Sequence, residues 1–170
     1  MDTGDWTLLS LWIHIPVVTL WIGMVMLDVF ASNVPGIPSD QRGRMIAWFR
    51  PLILVAIAVI LVTGTWQTMK NPFTEVNSFD TLERLRESTY GFSLFLKHGF
   101  VLATFALTLV VHFLLAPRLA ATPVVVPSGG GAVAVGAPPV ERTIRLLSWL
   151  NLAACLGALM MATRMVWELH

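Results

Sequence analysis

The sequence predicts an all-α integral membrane protein, folded as an up-and-down bundle of four helices. Of its 170 residues, 56% are hydrophobic and 12% are charged, and its mean hydropathy is +0.74. Soluble domains carry about 25% charged residues. Four apolar runs reach the length of about 20 residues that crosses a hydrocarbon core. We place these runs, within one domain that spans residues 1–170, at Thr7–Phe30, Ile46–Met69, Phe92–Ala116 and Ile144–Val166.

The first run is expected to stay in the mature protein. A secretory signal begins with basic residues, whereas Asp2 and Asp5 precede this run, and its apolar core is too long for a signal. After it, Pro35, Gly36 and Pro38 are typical of a connector that stops a helix. We therefore expect a loop over residues 31–45 before the second run.

Two further connectors separate the remaining runs. The connector over residues 70–91 is polar, and Asp80 and Glu83 have the spacing of a capping box. This pattern predicts a short amphipathic helix on the membrane surface. The connector over residues 120–140 mixes Pro and Gly so densely that we expect a flexible loop.

The charges indicate partners and orientation. The net charge of +1 argues against a nucleic-acid partner, and the apolar runs predict contact with the lipid bilayer. Lys and Arg residues near the ends of the runs divide six to five between the two sides of the bundle. Because cytoplasmic loops carry the excess of these residues, the bias favours both termini outside the cytoplasm.

Two histidines lie at matching depths in the first and third runs. His14 is about seven residues into the first run and His98 about six into the third, and these helices run in the same direction. At a rise of about 1.5 Å per residue, the two imidazoles have similar heights. Two neutral imidazoles in an apolar slot suit the axial positions of haem b. The alternative is a hydrogen-bonding role between helices.

A third histidine extends this pattern. His112 follows His98 by fourteen residues, which returns it to nearly the same helix face about 21 Å further along. A second haem or metal site at His112 is therefore possible, but the residue level with it on the first run is Asp28. Asp28 could lie at the interface, or pair with Arg50 or Arg118 across the bundle.

Other side chains near the His14/His98 end could support a cofactor. Arg164 and Lys97 are placed to meet haem propionates, or to reach the lipid headgroups. Trp21 and Phe105 are expected to line the slot. The methionines are candidate soft ligands for copper(I), with core packing as the alternative; they are Met24, Met26, Met160, Met161 and Met165.

The single cysteine, Cys155, lies in the fourth run. One cysteine excludes an intrachain disulfide. We expect it to pack as a small buried hydrophobe.

Three stretches resemble the copper resistance protein D (CopD) family of bacterial inner-membrane proteins. They are His14-x6-Trp21-x-Gly23, LVTG at residues 61–64, and YGFSLFLKHGF followed by APRL between Tyr90 and Leu119. The resemblance implies a bacterial inner-membrane protein that moves copper, with His14, His98, His112 and one or two methionines as ligands. The first run also resembles the HemJ type of protoporphyrinogen oxidase, a four-helix membrane protein that binds haem b. That likeness implies roles for His14 and Lys97.

The residues themselves favour a haem b protein for electron transfer, serving as a subunit of a larger membrane redox complex or exchanging electrons with quinone. Such a subunit is favoured over a self-contained enzyme because the chemistry would belong to the haem. Copper transport is the alternative, followed by a HemJ-like porphyrinogen oxidase and a metal-free structural subunit. One haem predicts two imidazoles at one depth, whereas a copper route predicts soft ligands at several depths.

Overall fold

The computed structural model describes residues 3–70, 87–121 and 139–167, and the single positions 80, 83 and 85. Across these residues the secondary structure is helical, which confirms the predicted all-α class. The described helices that are long and apolar enough to cross a membrane are Trp6–Asn33, Ser39–Met69, Thr89–Ala120 and Pro139–Trp167. The prediction of four membrane-spanning helices is thus confirmed.

Within the described residues, six α-helices and one π-helical segment have defined bounds, and positions 80, 83, 85 and 87 are helical as well. α1 covers Thr3–Asn33, and the second span consists of α2, Ser39–Trp48, and α3, Arg50–Met69. The third span consists of α4, Thr89–Leu109, a π-helical segment, Val110–Leu115, and α5, Ala116–Ala120. The fourth span is α6, Pro139–Trp167.

All four spans are longer than the sequence predicts. α1 continues past Phe30 to Asn33, and the chain turns at Gly36, whose φ of +84° suits glycine. α2 already begins at Ser39, so the loop predicted over residues 31–45 is only a short turn. At the next connector, α4 begins at Thr89, where the Ser88 side chain accepts a hydrogen bond from the Gly91 N–H at 3.0 Å.

The loop predicted over residues 120–140 ends earlier than the sequence predicts. α6 begins at Pro139, since proline is well tolerated at the first helical position, and residues 139 and 140 are therefore helical. The rest of that loop, residues 122–138, lies outside the described residues. So does most of the segment for which a surface helix is predicted, residues 71–79 and several positions up to 86.

Prolines interrupt the second and third spans at two places. Pro51 has no N–H to donate to the carbonyl four residues before it. The helix of the second span is interrupted at Phe49, between α2 and α3. In the third span, the Ala116 N–H donates to the Val111 carbonyl, five residues back. The next donor in this register would be Pro117, which has none, so the carbonyl of His112 is left without a partner in its own helix.

Helix packing closes the bundle at one end. α1 packs against α3 and α6, α4 packs against α6, and α2 packs against α5. At Gly43, α2 approaches α5 so closely that a Cβ atom would lie 2.8 Å from the Ala116 carbonyl oxygen. Over the described residues, α3 and α4 do not pack closely against each other. Within the described part of the chain, the bundle is therefore open between α3 and α4 at the end that holds the beginning of α1.

The outer surface of the bundle is apolar. Trp12, Val62 and Leu102 expose 72%, 71% and 61% of their surface, and many other large apolar side chains are exposed. Such a surface is stable in contact with lipid and unfavourable in water. The protein is therefore a multi-pass membrane protein whose helices contact the bilayer.

Candidate functional site

A cavity of about 590 Å³ lies inside the bundle at its open end, and α1, α3, α4 and α6 all contribute to its lining. Cavities of about 300–1,000 Å³ are typical of small-ligand sites. Its polar lining includes His14, Gln67, Lys97 and His98. The two histidines that the sequence places at one depth thus line one cavity.

His14 is held in a defined orientation by α3. Its Nδ1 lies 2.7 Å from the Thr63 hydroxyl oxygen, and that hydroxyl donates its own proton to the Val59 carbonyl at 2.6 Å. Because the hydroxyl has only one proton, His14 must donate from Nδ1. Nε2 then carries a lone pair.

The helix pair that positions His14 is fastened by further contacts. The Ser10 hydroxyl donates to the Thr63 carbonyl at 3.3 Å, and the Gln67 amide donates to the Ser10 hydroxyl at 3.3 Å. A Cβ atom at Gly64 would lie 3.4 Å from Cε1 of His14. The imidazole therefore lies directly against α3, at van der Waals distance from this position.

His98 has the same tautomer as His14, but a contact within its own helix fixes it. Its Nδ1 lies 2.8 Å from the Leu94 carbonyl oxygen, one turn earlier in α4. A carbonyl oxygen only accepts, so Nδ1 carries the proton and Nε2 the lone pair. Among the described residues neither Nε2, of His14 or of His98, has a hydrogen-bond partner. A histidine that donates from one ring nitrogen and presents the other is the usual form of a metal ligand.

The remaining lining is largely apolar and contains sulfur. Trp21 and Phe105 line the cavity and pack edge to face, with ring centroids 5.1 Å apart. The buried Nε1 of Trp21 has no oxygen or nitrogen acceptor among the residues that the structure describes. Cys155 and Met165 also line the cavity, and both are buried. The cavity thus combines two imidazoles with a thiol and a thioether.

Among the described residues, one charged side chain lines the cavity. Lys97 lines the cavity, whereas Arg164 lies outside the lining, on the exposed surface of α6. The lining includes no carboxylate from the described part of the chain, and the same residues form no cluster of three or more His, Cys, Asp or Glu side chains. This donor set is soft and nitrogen-rich.

His112 lies apart from the cavity, in the π-helical segment, and is 1% exposed. Its Nδ1 is 2.9 Å from the Ile46 carbonyl oxygen and its Nε2 is 2.7 Å from Oδ2 of Asp28. Asp28 therefore pairs with His112 and not with Arg50 or Arg118. Since both ring nitrogens are engaged within the protein, a second metal site at His112 stays a prediction that would require this pair to open.

The expectation that Cys155 packs as a small buried residue is confirmed, because it is buried in the hydrophobic core of the bundle. Met165, one of the candidate copper ligands, lines the cavity, while Met26 and Met160 face outwards. Sequence reasoning did not anticipate that Cys155 also borders the cavity. It also overlooked Thr63, the partner of His14. A hydroxyl inside the apolar LVTG stretch was the available signal, because polar side chains in a spanning helix tend to find a partner on a neighbouring helix.

The fold and the cavity define a class: helical membrane proteins with a histidine-lined cavity inside the bundle. A family model described as "Copper resistance protein D" (CopD) matches residues 43–167. This match covers well over half of the chain, so the protein belongs to the CopD family, as its motifs predict. His98 lies inside the matched range and His14 outside it. No curated protein and no solved structure matches the chain significantly.

Proposed function

We propose that the protein binds copper(I) as its cargo in the cavity and moves it into or across the bacterial inner membrane. One observation carries the proposal: His14 and His98 line the same cavity, and each donates from Nδ1 inside the protein while its Nε2 keeps a lone pair. Membership of the CopD family supports copper as the metal.

The chemistry of the lining agrees with this cargo. Imidazole nitrogens bind copper, and thiol and thioether sulfurs favour its soft monovalent form. Met165 and Cys155 place such sulfurs in the same cavity as the two imidazoles. Calcium and magnesium prefer several oxygen ligands, carboxylates above all, and the described lining includes no carboxylate.

We further propose that the cavity faces the non-cytoplasmic side of the inner membrane. The excess of Lys and Arg at the α2/α5 end favours that end as the cytoplasmic one. His14 and the beginning of α1 lie at the opposite end. The cavity would then receive copper from outside the cytoplasm.

Copper binding is tested by titrating the purified, detergent-solubilised protein with copper(I) against a chromophoric chelator under reducing conditions. We expect His14→Gln and His98→Gln each to lower the affinity by about 10- to 100-fold or more. Met165→Leu should weaken binding, and Met26→Leu, the same change on the lipid-facing surface, should leave it unchanged. Wild-type affinity in the double variant H14Q/H98Q would overturn the proposal.

Haem b in the same cavity is a second candidate, and Lys97 is the observation that favours it. A lysine ammonium in the lining suits a propionate better than a copper ion. The residues fit the group: His14 and His98 would supply nitrogen ligands, while Trp21 and Phe105 would shield it from water. When bound, haem supplies reversible one-electron chemistry, and the electrons would pass to quinone or to a partner subunit.

An optical difference spectrum, reduced minus oxidised, separates the two candidates. Copper(I) gives no such visible bands, so a featureless spectrum from folded, copper-binding protein is expected. Sharp b-type bands that disappear in both His14→Ala and His98→Ala would instead establish haem as the ligand of this cavity.

A further inference from the structure

The cavity carries a positive charge that no described residue balances. Lys97 lies in the lining, directly before His98 on α4, and is half-buried. Among the described residues, its ammonium has no hydrogen-bond acceptor and no carboxylate partner. The imidazoles of His14 and His98 are neutral, because each keeps a lone pair on Nε2. With one ammonium and no carboxylate, the described lining has a net charge of +1.

This charge acts at the place where copper would bind. The Lys97 ammonium interacts electrostatically with both His14 and His98. A bare copper(I) ion held by the two imidazoles would add a second positive charge to a largely apolar cavity. Like charges repel more strongly in apolar surroundings than in water, and a buried charge without a partner is unfavourable. The lining therefore disfavours the bare ion, although its nitrogen and sulfur atoms suit copper.

The volume of the cavity also exceeds what a bare ion needs. A copper ion is no larger than a water molecule, whose share of liquid volume is about 30 Å³. The cavity measures about 590 Å³, and cavities of this size usually hold a ligand of many atoms. Copper would therefore leave most of this space to other atoms if it entered alone. The charge and the volume both indicate that the ion arrives with a ligand of its own.

We propose that the cavity takes copper(I) as a small anionic complex, in which the imidazoles bind the metal and a carboxylate of its organic ligand pairs with Lys97. This inference rests on the proposed function, because copper is the metal in both. A complex with a net charge of −1 leaves the described cavity neutral. Copper(I) bound to a thiol that carries a carboxylate has this charge, since the thiolate and the carboxylate each contribute one negative charge.

Such a complex meets two features of the lining that no other ligand considered above meets together. A bare copper ion suits the sulfur atoms of Cys155 and Met165 but leaves Lys97 without a counter-charge. A haem offers carboxylates to Lys97 but makes no use of both sulfur atoms. An anionic copper(I) complex supplies a soft metal for the sulfur atoms and a carboxylate for the ammonium.

The test compares two small thiols as carriers of copper(I). Mercaptoacetate has a carboxylate, whereas mercaptoethanol has a neutral hydroxyl in its place. The affinity of the purified, detergent-solubilised protein for copper(I) is measured against a chromophoric chelator in an excess of each thiol. We expect the affinity to be about 10- to 100-fold higher with mercaptoacetate, as for one hydrogen bond between charged groups. After gel filtration, copper and mercaptoacetate should elute with the protein in equal amounts.

Variants of two lysines assign this preference to one side chain. Lys97→Gln should abolish the preference for mercaptoacetate, and Lys97→Arg should keep most of it, because arginine retains the positive charge. Lys70→Gln is the matched control. Lys70 is exposed at the end of α3 and lies outside the cavity, with its ammonium over the Trp66 ring, 5.4 Å from the centroid. Since every variant is compared with the same two thiols, their own difference in copper affinity cancels.

The outcomes separate this inference from the proposed function. Equal affinity with both thiols in the wild type, or copper(I) that elutes without mercaptoacetate, would overturn the anionic complex and keep copper as the cargo. A preference that Lys97→Gln does not lower would overturn the pairing with Lys97. If Lys97→Gln does not fold, the wild-type comparison and the eluted ratio of thiol to copper decide the matter. Absence of copper(I) binding with either thiol would reject the proposed function, and this inference with it.

Discussion

Arg50 donates from Nε to the backbone carbonyl of His112 across 2.8 Å, while His112 donates from Nδ1 to the carbonyl of Ile46, four residues before Arg50. Each side chain thus donates a hydrogen bond to a backbone carbonyl that lies next to the interruption in the other span. The guanidinium also lies over the Phe113 ring, 5.5 Å from its centroid. These contacts fix the two broken spans to each other at one level of the bundle.

Removing this guanidinium is expected to destabilise the protein. Arg50→Met leaves the His112 carbonyl without a donor, which should lower the free energy of unfolding by about 1–3 kcal/mol. Pro117→Ala supplies an N–H in the helix itself, so the same Arg50 change should cost less in that background. Thermal unfolding in detergent, followed by circular dichroism, measures both. Equal losses in the two backgrounds would contradict the link between Pro117 and Arg50.

The ion pair between Arg42 and Glu141 leads to a second prediction. Both side chains are at most 10% exposed, and Arg42 also donates to the Val34 carbonyl at 2.9 Å. Glu141→Leu leaves a buried guanidinium without its carboxylate and should lower the stability by about 3–5 kcal/mol. The double variant R42M/E141L should be more stable than E141L alone. Thermal unfolding of the two variants checks this, and a double variant less stable than E141L would refute it.

A third prediction concerns the residue behind His14. Thr63→Val keeps the side-chain shape but removes the oxygen that accepts from Nδ1, so the imidazole loses its preferred tautomer. We expect copper(I) affinity to fall by about 10- to 100-fold. Thr19→Val is the matched control, because the Thr19 hydroxyl is exposed and bonds only its own helix, at the Ile15 carbonyl. An unchanged affinity in T63V would show that Thr63 does not position His14.

Close packing of α2 on α5 gives a fourth prediction. Gly43→Ala places a methyl group against the backbone of Ala116 and Ala120, which cannot move aside without separating the helices. We expect a loss of about 1–3 kcal/mol in stability. Gly23→Ala is the control, since a Cβ atom there would meet nothing within 4 Å. Comparable unfolding temperatures for the two variants would argue against the close contact.

The sequence was informative wherever helical periodicity and depth decide the outcome. Composition predicted the spans, and equal depth placed His14 level with His98 and Asp28 level with His112. In the structure, the two histidines line one cavity, and Asp28 contacts His112. Periodicity could not locate the interruption at Phe49 or the π-helical segment. Both depend on backbone carbonyls that accept hydrogen bonds from side chains of another helix. The Arg42–Glu141 pair joins residues 99 positions apart, and no local pattern indicates it.

The choice of ligand was harder to predict. Two imidazoles in an apolar slot suit haem and copper alike, and the residues alone favoured haem b electron transfer. The family match instead supports the copper alternative, while haem stays a prediction, as does the HemJ likeness. Met165 and Cys155 favour copper, whereas Lys97 favours haem over a bare copper ion. The position of these three side chains in the cavity depends on the packing of α4 and α6, which the sequence pattern does not give.

α3 and α4 both line the cavity but, over the described residues, do not pack closely against each other. Helices that share few contacts separate at a lower free-energy cost than helices that are packed together. Movement of a ligand to His14 and His98 would therefore disturb the protein less if it passed between α3 and α4 than if it passed between α4 and α6, which are closely packed.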